Sequence, residues 1–183
     1  DLAAMEYGTY LGGSSIDAGF GIQFTQNGPA NAYITGGTRS NDFVTTTGAV
    51  QPDYGGDTDA FLVRLDISGA NYFIADATFI GSSSYDQAYF VQLDADDRPY
   101  INGQTAGTFA VIGDGVYSNA NGSTFVTRLN ADLSEIELQT RIGANISGAI
   151  DISPTAFLIS DCEEIYLSGW GGAVNSNNSG FAF

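Results

Sequence analysis

Apolar and polar positions alternate with a period of two along most of the chain. Phe20, Ile22 and Phe24 fall on one side of an extended segment, Asn27-Gly28 follows, and Ala32 and Ile34 run back. Asn-Gly between two alternating segments is a hairpin signal, because those residues tolerate the backbone of a tight turn. A second hairpin comes next: Phe61-Leu62-Val63-Arg64-Leu65, a turn at Ser68-Gly69, and a return from Tyr72-Phe73-Ile74 through Thr78-Phe79-Ile80. The scheme then starts again. Ala88 to Leu93 leads to an acidic turn, Asp94-Ala95-Asp96-Asp97. Tyr100-Ile101 follows, then Phe125 to Leu129, then a return through Ile136 and Leu138. No stretch carries the 3.6-residue period of an amphipathic helix, although Asp132 to Leu138 has room for one helical turn.

The repetition is itself a signal. Asp17, which follows Gly13-Ser14-Ser15-Ile16, returns as Asp86 after Ser82-Ser83-Ser84-Tyr85. Ala32-Tyr33-Ile34-Thr35-Gly36 returns as Pro99-Tyr100-Ile101-Asn102-Gly103 and as Ile165-Tyr166-Leu167-Ser168-Gly169. Ala60-Phe61-Leu62-Val63-Arg64-Leu65-Asp66 returns as Thr124-Phe125-Val126-Thr127-Arg128-Leu129-Asn130. The blocks recur in one order at a spacing of about 65 residues, too long for the coils of a parallel β-helix and sufficient for two hairpins.

Four strands per repeat predict an all-β fold, a β-propeller segment of four-stranded antiparallel blades. Residues 1–11 read as the last strand of a preceding blade, 12–80 and 81–142 as two blades, and 143–183 as an incomplete one. Phe61 and Phe125, Arg64 and Arg128, and Tyr33, Tyr100 and Tyr166 should superpose. About two full blades plus a partial blade at each end fall short of the roughly four to eight that close a ring. The expected partners are therefore the remaining blades of a longer parent chain or another subunit. A chain left alone with bare apolar blade faces should self-associate.

Composition narrows the chemistry. The 183 residues carry 21 acidic and 5 basic side chains, a formal charge of −16. All five basic residues are Arg, and such a surface repels nucleic acid and anionic membranes. No apolar run approaches the roughly 20 residues of a membrane helix. His is absent, which removes the commonest general base and the Ser-His-Asp and Cys-His mechanisms. The single Cys162 forms no internal disulfide. Its neighbours Glu163 and Glu164 are the opposite of the cationic surroundings that a reactive thiol needs.

Several blocks resemble a known family. Tyr10-Leu11-Gly12-Gly13-Ser14, Asp17, Gly19-Phe20-Gly21-Ile22 and Asn31-Ala32-Tyr33-Ile34-Thr35-Gly36 are similar to the SBBP repeat, a β-propeller repeat. Asp42-Phe43, Gly48-Ala49-Val50-Gln51 and Gly56-Asp57-Thr58-Asp59-Ala60-Phe61-Leu62-Val63-Arg64-Leu65 continue the likeness. It is close over residues 7–70 and looser over 77–130, where Gly12-Gly13 becomes Gly81-Ser82. Ser153-Pro154-Thr155-Ala156-Phe157 and Leu167-Ser168-Gly169-Trp170-Gly171-Gly172 resemble a variant in very large surface proteins of Bacteroidota. Those proteins carry a sorting signal for type IX secretion, and some are associated with gliding motility. The resemblance implies a propeller, a secreted or cell-surface location, and a structural or adhesive role.

Candidate chemistry is sparse. Asp17 and Asp86 recur at equivalent positions, as turn-capping residues would, and a catalytic residue need not recur. Asp57 and Asp59, and Asp94, Asp96 and Asp97, offer oxygen ligands at short spacing, as a hard cation such as Ca²⁺ requires. Neither cluster follows the EF-hand loop, and solvated acidic turns are the plainer reading, so no cofactor is expected and Ca²⁺ is the alternative. Trp170, between glycines, suits either packing between blades or a sugar-stacking platform. The expectation is a non-enzymatic scaffold or adhesin. A carbohydrate-binding, Ca²⁺-dependent lectin-like module with a surface glycan as partner is the alternative, and a glycan hydrolase using paired carboxylates the third.

Overall fold

The computed structural model describes residues 7–143 and 150–171. It is all-β, with ten strands and no helix among those residues. In chain order they are β1 (Asp17–Phe24), β2 (Asn31–Thr38), β3 (Asp59–Asp66), β4 (Phe73–Ile80), β5 (Asp86–Leu93), β6 (Pro99–Thr105), β7 (Thr124–Leu129), β8 (Ile136–Ile142), β9 (Ile152–Ile159) and β10 (Ile165–Gly171). They form three antiparallel sheets, β1-β2-β3-β4, β5-β6-β7-β8 and β9-β10. Each strand pairs with its neighbour in sequence, so every connection within a sheet is a hairpin or a longer antiparallel loop.

The registers repeat as the sequence blocks do. Tyr33 pairs with Arg64 and Tyr100 with Arg128, while Phe61 pairs with Gly36 and Phe125 with Gly103. Tyr33, Tyr100 and Tyr166 each face the first strand of their own sheet, at Gln23, Gln92 and Leu158. The irregularities repeat too. One residue of the first strand is skipped in each sheet, at Phe20, Tyr89 and Thr155. One residue of the fourth strand is skipped opposite Arg64-Leu65 and Arg128-Leu129. A bulge at a fixed place bends the strand and re-aims the side chains beyond it, so its recurrence belongs to the unit and not to one sheet.

The first hairpin turns share a backbone feature. Gly28, Asp97 and Glu163 occupy the same turn position with φ of 69°, 59° and 61°. Gly adopts that left-handed conformation without steric cost, whereas the two acids need compensating bonds to hold it. One sequence expectation is corrected. Asp132 to Leu138 holds no helical turn: Leu133 has φ of 57° in a tight turn stapled by Asn130, and β8 starts at Ile136. Tyr7 to Leu11 pairs with no strand among the described residues; it crosses the front of the first sheet, where Leu11 packs beside Phe61 and Phe79.

Packing proceeds from sheet to sheet. β5 lies against β1, β2 and β3, and β9 lies against β5, β6 and β7. The back of the first sheet (Tyr33, Ala60, Leu62, Ile80) and the front of the second (Val91, Leu93, Ile101, Phe125, Leu129) make one core. The back of the second (Tyr100, Val126) and the front of the third (Phe157, Ile159, Leu167) make the next. Loop aromatics close the edges, with Phe43 4.5 Å from Phe61 and Phe109 4.9 Å from Phe125 between ring centres.

Exposure at equivalent positions follows from this order. Ile22, Val91 and Phe157 share one place in the unit and are 56%, 3% and 5% exposed, because no described sheet precedes the first. Phe24 is exposed and its counterpart Leu93 buried for the same reason. Urea denaturation should separate the two: Leu93→Ala should cost about 2–5 kcal/mol, and Phe24→Ala less than about 1 kcal/mol. Equal costs would show that the sheets do not stack as described.

Candidate functional site

The acids singled out in the sequence are mostly used by the backbone. Asp17 begins β1 and accepts from Gly13 N at 2.8 Å and Ser40 Oγ at 2.9 Å, with Thr38 Oγ1 also donating to it. Asp86 begins β5 and accepts from Ser82 N at 2.6 Å and Ser82 Oγ at 2.7 Å. Each fixes the turn that enters its sheet.

Asp57 and Asp59 do not converge: Asp57 precedes β3 with a left-handed backbone, φ of 40°, which breaks the extended alternation that would put residues two apart on one face. Asp57 is at the surface, paired with the Arg39 guanidinium at 2.6 Å. Asp59 is fully buried and accepts from Gly55 N at 2.7 Å and Gln51 Nε2 at 3.1 Å. In the β5–β6 turn, Asp94 accepts from Asp96 N and Arg98 N at 3.0 and 2.9 Å and pairs with Arg98 Nε at 2.8 Å. Asp97 turns the other way and accepts from Gln26 N and Asn27 N of the first sheet at 2.9 and 2.8 Å. Asp96 is exposed, 3.6 Å from Arg98. Among the described residues no three His, Cys, Asp or Glu side chains form a group able to hold a metal ion.

The unexpected site is the seam between the first and second sheets. Asp86 N donates to Thr58 O at 2.7 Å, which brings the start of β5 beside the start of β3. Asp59 and Asp86 are thereby both buried in one polar seam. Asp59 Oδ1 has no hydrogen-bond partner, and an added Cβ at Gly81 would lie 2.4 Å from its Cγ, so glycine is what admits the carboxylate there. Burial, reinforced by the charge of Asp86, pushes the Asp59 carboxyl up to about 6; bonds from Gly55 and Gln51 only partly offset this. Burial also raises Asp86, and the Thr105 and Ser82 groups oppose that shift. The next seam solves the same problem differently. Ser123 stands where Asp59 does, and its hydroxyl donates to Asp151 while accepting from Asp151 N at 2.8 Å. Asp151 lies one residue before Ile152, which the strand register places at the position of Asp86, so it takes that part from a shifted place. The alignment of Asp59 with Ser123 was available in the repeat spacing. The pairing of the two acids was not, because it joins different sheets.

A second cluster was also missed. Glu163, in the β9–β10 turn, accepts from Arg98 Nη2 at 2.7 Å and Arg128 Nη1 at 2.9 Å, tying the third sheet to the second. Arg128 also meets Glu137 at 3.0 Å and the Tyr100 hydroxyl at 3.1 Å. Glu137 is the skipped residue of β8, so the repeated bulge is what aims it at Arg128. Arg64 pairs with Asp76, and buried Arg141 donates to Gly122 O and Ala120 O. All five arginines are thus held within the fold.

Trp170 is exposed on the outer face of β9–β10, and Tyr166 with its cross-strand partner Leu158 lies farther along that face. An apolar groove of about 240 Å³ opens on the opposite end of the stack, at the front of the first sheet, lined by Tyr7, Leu11, Ile34, Val63, Leu65 and Ile74. The described residues include no helix long and apolar enough to cross a membrane.

The chain matches no protein-family model and no curated protein sequence. Both buried carboxylates, Asp59 and Asp86, lie between sheets with no exposed surface.

Two outcomes check this seam. The folded state holds the Asp59 proton more tightly than the unfolded chain, whose carboxyl titrates near the usual 3.8. Its contribution is therefore full below that value and is lost as pH rises through about 6. Relative to Asp59→Asn, the wild type should lose on the order of 2 kcal/mol between about pH 4 and pH 7. Parallel pH-stability curves in urea melts would refute it. Asp97→Ala should cost about 1–3 kcal/mol, because it takes from the Gln26 and Asn27 amides the side chain that receives both across the interface. Hydrogen exchange at the Gln26 and Asn27 amides should quicken in that variant.

Proposed function

We propose that the chain is a non-catalytic structural or adhesive module, a β-propeller segment whose four-stranded units are blades, carried by a secreted surface protein. One observation carries the reading: each sheet buries the outward face of the one before it at equivalent residues. Tyr33 and Tyr100 are each 1% exposed under the following sheet, while Tyr166, the last in the series, is 54% exposed. A surface built to receive another sheet is what a repeat scaffold requires, and a ring closes with about four to eight such units. The remaining blades come from a longer parent chain or another subunit. The placement at a bacterial surface, with type IX export and a link to gliding, rests on the likeness of residues 7–70 and of the third unit to the SBBP repeat.

A carbohydrate-binding module is the second reading, and the exposed Trp170, on the same strand face as exposed Tyr166, favours it. Ca²⁺ would then be drawn from the acidic turns. A glycan array probed with and without chelator separates the readings. The scaffold reading expects neither turnover nor chelator-sensitive binding. Chelator-sensitive retention lost on Trp170→Ala would establish the lectin, and release of reducing sugar from any glycan would establish a hydrolase.

A further inference from the structure

We propose that the outer face of β9–β10 binds the front of the first sheet of a second copy of this chain, head to tail. The proposal rests on the reading of the chain as a stack of repeat units and names the occupant of its last face.

Continuity with the two internal interfaces supplies the first argument. Tyr33 shares its core with Leu93 and Leu129 of the following sheet. Their counterparts in the first sheet are Phe24, which is exposed, and Leu65, which lines the open groove. Tyr166 is the counterpart of Tyr33 and is likewise uncovered. Among the described residues one chain therefore displays the front half of its internal contact and, at Tyr166, the first-hairpin part of the back half. The two halves lie at opposite ends of the stack, so the contact is heterologous and propagates from copy to copy.

Charge selects the occupant. In both internal interfaces the arriving hairpin turn carries an acid at its left-handed position. Asp97 is received by the Gln26 and Asn27 amides, and Glu163 by Arg98 and Arg128. On the third sheet the counterpart of Arg98 is Glu164, with Asp161 and Glu163 in the same turn. An arriving acid would meet carboxylates there and be repelled. The first-sheet turn, Thr25-Gln26-Asn27-Gly28-Pro29-Ala30, bears no charge and has Gly28 at the left-handed position. Of the chain's three first-hairpin turns, it alone fits this surface.

The internal contact also locates a probe. Asn27 Nδ2 donates to Ala95 O at 3.1 Å across the first interface. By the turn alignment, Asn27 corresponds to Cys162 and Ala95 to Gln26. In the head-to-tail contact Cys162 of one copy thus meets Gln26 of the next. Cys162 is exposed and is the chain's single cysteine, as Trp170 is its single tryptophan.

The full chain carrying Gln26→Cys, treated with a mild oxidant, should give a ladder of disulfide-linked oligomers beyond the dimer. The ladder should vanish in Gln26→Cys/Cys162→Ser. Trp170 emission of the wild type should shift to the blue as concentration rises, and Phe24→Asp, a change at an exposed position, should abolish the shift. Dimers linked through Cys162 alone, or an emission that stays that of a solvated indole at all concentrations, would overturn the proposal. The pair Asn27→Cys/Ala95→Cys in a Cys162→Ser background reports the internal contact. Closure of that pair without any ladder sinks the second copy alone, whereas failure to close it sinks the stacked-unit reading as well.

Discussion

Each of the three described sheets carries apolar side chains on both faces, and no such sheet is stable with both in water. That constraint organises the molecule. Leu62 and Val63 are adjacent on β3 and point to opposite sides, yet both are fully buried. The first is covered by the second sheet, the second by loop aromatics and the Tyr7–Leu11 segment. A two-sided sheet is stable only as a layer in a stack, since each uncovered Leu- or Phe-sized side chain forgoes about 1.5–3 kcal/mol of burial. Stacking is therefore a condition of folding for each unit, and the ends of the stack inherit its unmet demand.

Polar groups follow the same logic. The acids that look like chemistry in the sequence are the devices that join turns to strands and sheets to sheets. Asp17 and Asp86 hold the amides of entry turns, Asp97 reaches back to the previous sheet's turn, and Glu163 gathers two arginines of the sheet before it. An ionised carboxylate suits this work because it accepts several donors at once and strengthens each bond by its charge. The abundance of acids thus reflects in part how the units are tied, and Arg39, Arg64, Arg98 and Arg128 are each paired with one or more of them.

The seam between β3 and β5 is where this scheme is least comfortable. Asp59 and Asp86 bring two carboxylates into a space where the next seam uses a serine and an aspartate. A Ser–Asp pair joins a hydroxyl donor to a carboxylate acceptor, whereas two buried carboxylates have no proton to share unless one is protonated. Acid thus favours the first interface through Asp59, and the second, of the same architecture, has a serine at that position.

The sequence by itself determined the strands, their pairing and the repeat. These depend on period-two alternation and on turn residues such as Asn27-Gly28, which act over a few positions. The equivalence of Tyr33, Tyr100 and Tyr166, and of Arg64 and Arg128, was legible for that reason. What the tertiary structure decided is burial and partnership. Ile22 and Val91 carry the same local pattern, but only Val91 has a sheet in front of it. Asp57 and Asp59 sit two residues apart, and one is solvated while the other is sealed against Gly81. Trp170 lies among glycines whichever way it faces, and its exposure follows from the absence of a fourth sheet among the described residues. A local pattern states which side of a strand a residue takes; what stands on that side comes from a unit some 65 residues away, and only the folded stack brings it there.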